Sequence, residues 1–541
     1  MTAVSAMNVW AGGLLTNTNQ SVEFLRNPAR DAAIGIDGVY SNPAGVVFLG
    51  EGIHLSLNLQ NAHQTRTVES AFPLFPFNAN NPGSALHKFE GNADAPIIPS
   101  LQAAYNKGNW SFQFGFAITG GGGKCEFPYG LGSFERVVSG LTSFAPTLNG
   151  LYQTLGAAGI PGMADHQMGN KYKFDAYMRG RQYYYGFTFG AAYKFNDNLS
   201  VYGGLRMLYG SANYYGYVKG INIEHINAGQ SEMVNASKHF TELAATLNQY
   251  AGAMEQMGNT AVAQQLAGAA QQVTALAIGS QDIELNCDQT GWGVAPIIGV
   301  DYKTGKLNLA AKYEFKTRMR LKNRSANSES AAGIEMLNKF ADGGSVAEDS
   351  PALLAVGAQY EILPSLRVMA GWHHYFDKDA HQYKNHQKSL GGNTNEFLFG
   401  AEYDVSKMVE VSAGVQKTNY KMTGDYMEDV SFVVNSYSYG FGFGVHLNKK
   451  MTLNVAYFQT NYSDFTAASN KYNDLANLTG TMVKGMATRL GQSDEVAAGA
   501  AEEIKNMLTT PVTEDGKSLL YGKNTFTRTN HVFGLGLNID F

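Results

Sequence analysis

Two cysteines in 541 residues, Cys125 and Cys287, exclude a disulfide framework and any cysteine-based metal cluster. Nor does any stretch reach the ~18–20 consecutive apolar residues of a membrane helix. Charged residues make up only 16% and the net charge is −5, so the chain offers no basic surface on which a nucleic acid would dock. Catalytic signatures are missing as well. The twelve histidines show no paired-ligand spacing. His373 and His374 are adjacent, so on a strand they face opposite sides and cannot ligate one metal together. The stretch "GLGSF" lacks the central serine of a nucleophile elbow. We therefore expect no catalytic residue, no metal, no cofactor and no enzymatic activity.

What the chain has in abundance is glycine and aromatic residues: 61 Gly, 30 Tyr and 30 Phe. These are arranged with a period of two. In "NWSFQFGFAIT", Trp110, Phe112, Phe114, Phe116 and Ile118 share one face, against Ser111, Gln113, Gly115, Ala117 and Thr119. "YYYGFTFGAAYKF" and "YSYGFGFGVHL" repeat the pattern. So does the last stretch, "HVFGLGLNIDF", where Phe533, Leu535, Leu537, Ile539 and Phe541 oppose Gly534, Gly536, Asn538 and Asp540. A strand of a soluble sandwich also alternates, but its outer face carries Lys, Glu and Thr. Large apolar residues on one face and small or polar ones on the other fit a barrel wall in lipid.

Fourteen such segments are present, near residues 50–64, 97–106, 109–119, 181–195, 198–217, 288–303, 306–322, 351–362, 364–377, 394–404, 407–421, 435–448, 450–462 and 527–541. The joins alternate in length. "NKGN", "FNDN", "KTGK", "EILPS", "DVSK" and "LNKK" are tight turns built from residues that favour them, and the joins between them are long. Short turns on one side and long loops on the other predict an all-β, 14-stranded antiparallel transmembrane β-barrel over residues 50–541. It would lie in the outer membrane of a Gram-negative cell, with both termini periplasmic.

Residues before the first strand do not alternate and are too polar to cross lipid. Residues 12–49 are expected to fold into the lumen as a hatch. Residues 1–11 carry a small-x-small ending at Val9-Trp10-Ala11 and are expected to be the remnant of a signal peptide. The hatch holds "SNPAG", with Asn42, Pro43 and Ala44 directly before strand one. With fourteen strands, helical loops and a terminal Phe541, this resembles the FadL/TodX family of outer-membrane channels for hydrophobic compounds.

The resemblance implies passive uptake of hydrophobic molecules, long-chain fatty acids first. It implies capture by extracellular loops, a luminal binding site, hatch gating and sideways exit where strand three bends. The glycine run Gly120, Gly121, Gly122 and Gly123 stands at that place, although the family's own bend is not a glycine run. A flexible start to the following loop is the simpler reading of the same residues. Partners implied are outer-membrane lipid, a hydrophobic ligand, and the barrel-assembly machinery acting on Phe541. An alternative is a barrel of this type that serves as a secretion-system or surface-assembly subunit.

Candidate site residues follow from facing. In "KLNLAAKYEFKTRMRL" the inward set would hold Lys312, Glu314, Lys316, Arg318 and Arg320, opposite outward Leu309, Tyr313, Phe315 and Met319. Arg206 and Arg367 also read as inward. Either these cations pair with hatch carboxylates such as Glu23, Asp31 or Asp37, or one or two of them hold a ligand carboxylate. Tyr184, Tyr202, Met369, Tyr375, Leu398 and Phe458 would line an apolar pocket. Helical spacing at residues 133–158, 236–277 and 470–508 makes Leu243, Leu247, Met254 and Met257 candidates for first contact with ligand. Helices that merely cap the rim would show the same spacing. A disulfide between Cys125 and Cys287 is open, since spacing alone does not bring the sulfurs together.

Overall fold

A computed structural model describes residues 16–157, 159–329, 335–470, 484 and 493–541. The strands are β1 (Gly52–Ala71), β2 (Leu86–Lys107), β3 (Trp110–Phe127), β4 (His166–Lys194) and β5 (Leu199–Asn227). Then come β6 (Ile283–Thr304), β7 (Leu307–Glu314, resuming as Arg320–Ser325), β8 (Leu353–Leu363), β9 (Leu366–Tyr375) and β10 (Thr394–Asp404). The last four are β11 (Val409–Asn419), β12 (Ser436–Asn448), β13 (Met451–Tyr462) and β14 (Gly522–Asp540). Each strand pairs antiparallel with the next, and β14 closes on β1 from His54 opposite Asp540 to Ala71 opposite Lys523. Closure leaves no unpaired sheet edge, which a wall in hydrocarbon requires. All fourteen expected segments are strands, several of them running further on the long-loop side.

Side-chain alternation decides which face meets lipid. Leu57, Leu59, Phe112, Phe189, Leu205, Ile298, Phe399, Phe441 and Phe533 are exposed on the outer wall. Their neighbours in sequence are buried within the lumen. What fills that lumen is the segment 16–51. It begins with a short helix, α1 (Val22–Arg26), capped by the Ser21 hydroxyl, which accepts from the Phe24 amide at 3.1 Å. Val22 and Leu25 on it are fully buried.

The small inner face of the wall has a direct cause. A Cβ placed on Gly440 would collide with the Leu25 carbonyl, one on Gly400 with the Asn27 side chain, and one on Gly371 with Asp31. The hatch backbone therefore lies directly on the wall. Polar contacts complete the fit. Asn454 and Asn538 both donate to Glu23 Oε1, at 2.9 and 2.6 Å. Arg26 meets Glu410 at 2.8 Å, Arg30 meets Asp37 at 2.8 Å and Glu402 at 2.5 Å, and Asp31 meets His373 at 2.8 Å.

The Asn-Pro-Ala stretch is the second anchor. Asn42 Nδ2 donates to Asp301 at 2.6 Å and to the Ala33 carbonyl at 3.2 Å, while its Oδ1 accepts from the Gly45 amide. The Pro43 carbonyl accepts from Gln113 and the Ala44 carbonyl from Ser200, both at 2.7 Å.

One strand departs from the expected facing. On β6 seven residues separate Ile297 from Thr290, but on β7 eight separate their partners Glu314 and Lys322. The extra residue lies in the break after Glu314, and a one-residue slip turns every later side chain to the other face. Lys312 and Glu314 point inward as expected. Arg318 and Arg320 instead point outward and are exposed, whereas Met319 and Leu321 are buried in the lumen.

The long joins form a helical cap. Helices α2 (Gly132–Ser139), α3 (Ala145–Ala157), α4 (Ala236–Gln256) and α5 (Thr260–Gly279) share one apolar core containing Phe134, Leu148, Tyr152, Phe240, Leu247 and Val273. Of the expected 470–508 helix, the described part is α6 (Asp494–Thr509), and much of the rest lies outside the described residues. Cys125 and Cys287 are separate buried thiols.

The fit of hatch to wall makes a testable prediction. Gly440→Val should cost on the order of 1–3 kcal/mol through overpacking and expel the hatch without opening the barrel. Limited proteolysis should then cut within residues 16–50, while the heat-dependent gel shift typical of a closed barrel stays unchanged.

Candidate functional site

Between hatch, wall and loops lies a cavity of about 110 Å³. Its apolar lining includes Phe24, Ala62, Ala95, Ile98, Ile118, Phe458 and Val532, and its polar lining includes Gln64, Glu396, Gln416, Thr418, Ser438 and Arg528. Gly121 and Gly123 of β3 close one side. The size matches a ring or a short length of chain, since engineered cavities of ~150 Å³ admit benzene.

At those glycines the wall opens. β2 and β3 pair from Lys107 opposite Trp110 up to Leu101 opposite Phe116, and again from Asp94 opposite Lys124. Residues 95–100 and 117–123 have no partner across this stretch. β3 bulges while staying on β4, with Gly120 opposite Tyr184 and Gly123 opposite Gln182. Gly121 has φ +90° and Gly123 φ +78°, angles at which a side chain is strained. A Cβ on Gly121 would also strike the Gln182 carbonyl of β4. The surroundings of Gly122 lie outside the described residues. The glycines are needed here for the bulge itself.

Freed backbone groups in such a gap must find partners, and the start of the hatch supplies them. The Asn17 amide donates to the Thr119 carbonyl at 2.8 Å. Asn17 Nδ2 donates to the Gly121 carbonyl at 3.0 Å and Gln20 Nε2 to the Ile118 carbonyl at 3.2 Å.

Among the cavity-lining residues Arg528 is the cation. It is 4% exposed. Nη1 donates to the Phe432 carbonyl at 3.3 Å, Nη2 to Gln64 at 3.2 Å, and the guanidinium stacks 5.0 Å from the Tyr462 ring centroid. Its buried Nε has no hydrogen-bond partner, and among the described residues Arg528 makes no ion pair. Glu396, also on the lining, is fully engaged by His373, Tyr375, Gln416 and Thr418.

The cations singled out in the sequence sit elsewhere. Arg206 pairs with Glu314 within the wall and lies 4.8 Å over the ring of hatch residue Tyr40, and Lys312 Nζ donates to the Tyr40 carbonyl at 2.5 Å, so both cations meet the hatch at Tyr40. Lys316 donates to the Asp379 carbonyl at 2.7 Å. Arg367 joins Asp404 and Glu410, each at 2.8 Å, at the mouth on the short-turn side. Tyr184, Tyr202, Met369, Tyr375, Leu398 and Phe458 are all buried inside the barrel, but only Phe458 lines the cavity. Tyr202 packs on hatch residues Ala44 and Val47, Leu398 packs on Phe24 and Leu25, and Met369 accepts from Asn27.

Leu243 and Leu247 are interior residues of the helical cap; Met254 packs partly against that core, and Met257 is 75% exposed. Arg528 was readable: two-residue steps back from Gly534 through Val532 and Asn530 reach it. Asn17 and Gln20 carried no such signal.

A roof covers the cavity on the long-loop side. Residues 421–435, between β11 and β12, turn inward and bury Tyr426, Met427, Val430, Phe432, Val433 and Val434. Asp429 accepts from the Ser133 amide at the start of α2, at 2.7 Å, and the Phe432 carbonyl rests on Arg528.

No family model matches the sequence, and no curated protein matches it. Among solved structures, a Pseudomonas aeruginosa FadL homologue matches with a TM-score of 0.56 at 11% identity, over 98% of this chain and 100% of that one. A deltaS2 mutant of the TodX monoaromatic hydrocarbon channel matches with a TM-score of 0.50 at 14% identity, over 97% and 99%. The chain has the FadL/TodX barrel fold. At these identities the likeness speaks for architecture alone.

Within the roof, burial pushes the Glu428 carboxyl up from 4.5 to about 8; Asp429 and Glu348 add to this and Lys339 opposes it. A carboxyl with a raised folded-state pKa stabilises the fold fully below its unfolded value, and the contribution is lost as pH rises through the folded value. The roof should therefore loosen progressively as pH rises from about 5 to about 8. Hydrogen exchange of the 421–435 amides should quicken over that window in the wild type and much less in Glu428→Gln.

Proposed function

We propose that the protein is a passive outer-membrane channel that takes up hydrophobic molecules and releases them sideways through the gap between β2 and β3. The observation that carries this reading is the cavity that ends at Gly121 and Gly123, where the wall has no cross-strand pairing. Lipid offers no hydrogen bonds, so a sound wall would be paired throughout. Here the pairing is interrupted and the freed carbonyls are bonded by Asn17 and Gln20, which keeps the gap stable without filling it with apolar side chains. The two similar structures named above, described as a FadL homologue and a monoaromatic hydrocarbon channel, support the same class of ligand. The proposal needs no reaction chemistry, and no group of the cavity is arranged as nucleophile and base.

Among hydrophobic ligands, long-chain fatty acids are favoured by Arg528. A buried guanidinium without an ion pair is costly, and a carboxylate would meet its free Nε with a charge-assisted hydrogen bond. The tail of such a ligand would extend past Ile98 and Ile118 toward the gap. A neutral aromatic would fill the space but leave Nε unbonded. On this reading the roof must yield on entry, because the Phe432 carbonyl holds Nη1 of the guanidinium.

Two measurements test the reading. Ala95 borders the gap beside Gly123, and Ala95→Phe should stop it with a ring. Uptake by cells should then fall toward that of cells lacking the protein. Unchanged uptake would rule out this exit. Arg528→Met should weaken a fatty acid more than the matching alcohol, by about 1.5–3 kcal/mol, or roughly tenfold and more in Kd. Equal losses for acid and alcohol would leave transport standing and remove the acid preference.

A further inference from the structure

The slip in β7 produces a feature that the transport reading does not use. Above the break Arg318, Arg320, Lys322 and Arg324 alternate with buried Met319, Leu321 and Asn323, so four cations stand in a row on the outer wall. Alternate residues on a strand are about 6.6–6.8 Å apart, a spacing that suits several separate anions rather than one. Arg320 alone has a partner, Asp349 at 3.1 Å. Among the described residues, Arg318, Lys322 and Arg324 make no ion pair, although Asp288 of β6 lies across the ladder from Arg324.

Position identifies the partner. Below the break the outer face of β7 is apolar, with Leu309, Tyr313 and Phe315. On β6 the exposed Ile298, Val294 and Trp292 lead up to Thr290, which pairs with Lys322. Exposed aromatics mark the level where hydrocarbon gives way to headgroups. By that register Arg320 lies level with Trp292 and Arg318 level with Val294, so the row starts at the upper edge of the apolar belt, and Lys322 and Arg324 rise above it on the long-loop side. A row of unpaired cations at that height faces the polar heads of the leaflet, where phosphate is the matching anion.

We propose that Arg318, Lys322 and Arg324, with Arg320 beside them, bind the phosphate groups of lipid headgroups in the leaflet on the long-loop side, and so fix the height and orientation of the barrel. This rests on the membrane placement of the barrel and not on its ligand. A helical partner or a soluble anion would not require the row to start where the apolar belt stops.

The test uses the full chain in phosphatidylcholine nanodiscs, with lipid A as the phosphorylated glycolipid and its dephosphorylated form as control. Native mass spectrometry counts the lipid retained by the wild type and by the Arg318→Gln, Lys322→Gln, Arg324→Gln triple variant. Arg320 is left in place because it holds Asp349. The wild type should retain lipid A in preference to the dephosphorylated form, and the triple variant should lose roughly tenfold or more of that preference. Inorganic phosphate at millimolar concentration should not compete. Three outcomes would overturn the proposal: equal retention by the variant, equal retention of the dephosphorylated lipid, or displacement by free phosphate. A heat-dependent gel shift confirms that the variant is folded, and failure of the wild type to enter nanodiscs would instead count against the membrane placement.

Discussion

A peptide group in hydrocarbon has no water to bond, so each must be bonded within the protein or shielded by it. Nearly every feature of this molecule is a response to that condition. The sheet closes from β14 to β1 because an open edge would present a row of unbonded groups. The turns on one side are short because the chain needs only to reverse. Where the ladder between β2 and β3 fails, Asn17 and Gln20 stand in for the missing strand. A break in pairing that has been provided with its own hydrogen bonds differs from a defect: the backbone is satisfied while the space between the strands stays open.

The second organising fact is the thinness of the inner face. Glycines at 371, 400 and 440 let the hatch lie directly on the wall, against Asp31, Asn27 and the Leu25 carbonyl, so the segment 16–51 fills the lumen with few large side chains. Ion pairs then hold it at defined heights: Arg30 between Asp37 and Glu402, and Asp31 on His373. Removing one partner of such a buried pair costs about 3–5 kcal/mol, which makes the hatch a fixed part of the resting structure. Most luminal charge is spent in this way, so the charge left without a partner is informative.

Much of the fold could be read from alternation and join length. Both are short-range signals that the barrel does not override, since lipid outside and a filled lumen inside impose the same period along every strand. The asparagine of the Asn-Pro-Ala stretch closes its own turn and reaches Asp301, a role that its sequence position alone did not reveal. The facing of β7 was not legible, because one extra residue after Glu314 moves Arg318 and Arg320 from lumen to lipid side, and nothing in "EFKTRMRL" marks the insertion. Arg528 could have been found by carrying the alternation of β14 past Val532. The cap leucines Leu243 and Leu247 show the usual ambiguity of amphipathic helices. An apolar stripe says that a face is covered, and here the cover is other loop helices rather than a ligand.

The guanidinium of Arg528 is shared between the wall, through Gln64, and the roof, through the Phe432 carbonyl. On the proposed reading, a ligand carboxylate at Nε would sit beside the Nη1 bond to that carbonyl, which would couple binding to opening of the roof. Any affinity the ligand gains at Nε can be set against the cost of displacing Phe432, because only differential contact between closed and open states shifts the balance. At the gap, by contrast, the pairing of β2 and β3 is already interrupted, and its freed carbonyls are bonded by the hatch. On the proposed channel reading, control of passage would lie at entry, beneath the roof, because the hatch already bonds the backbone groups freed between β2 and β3.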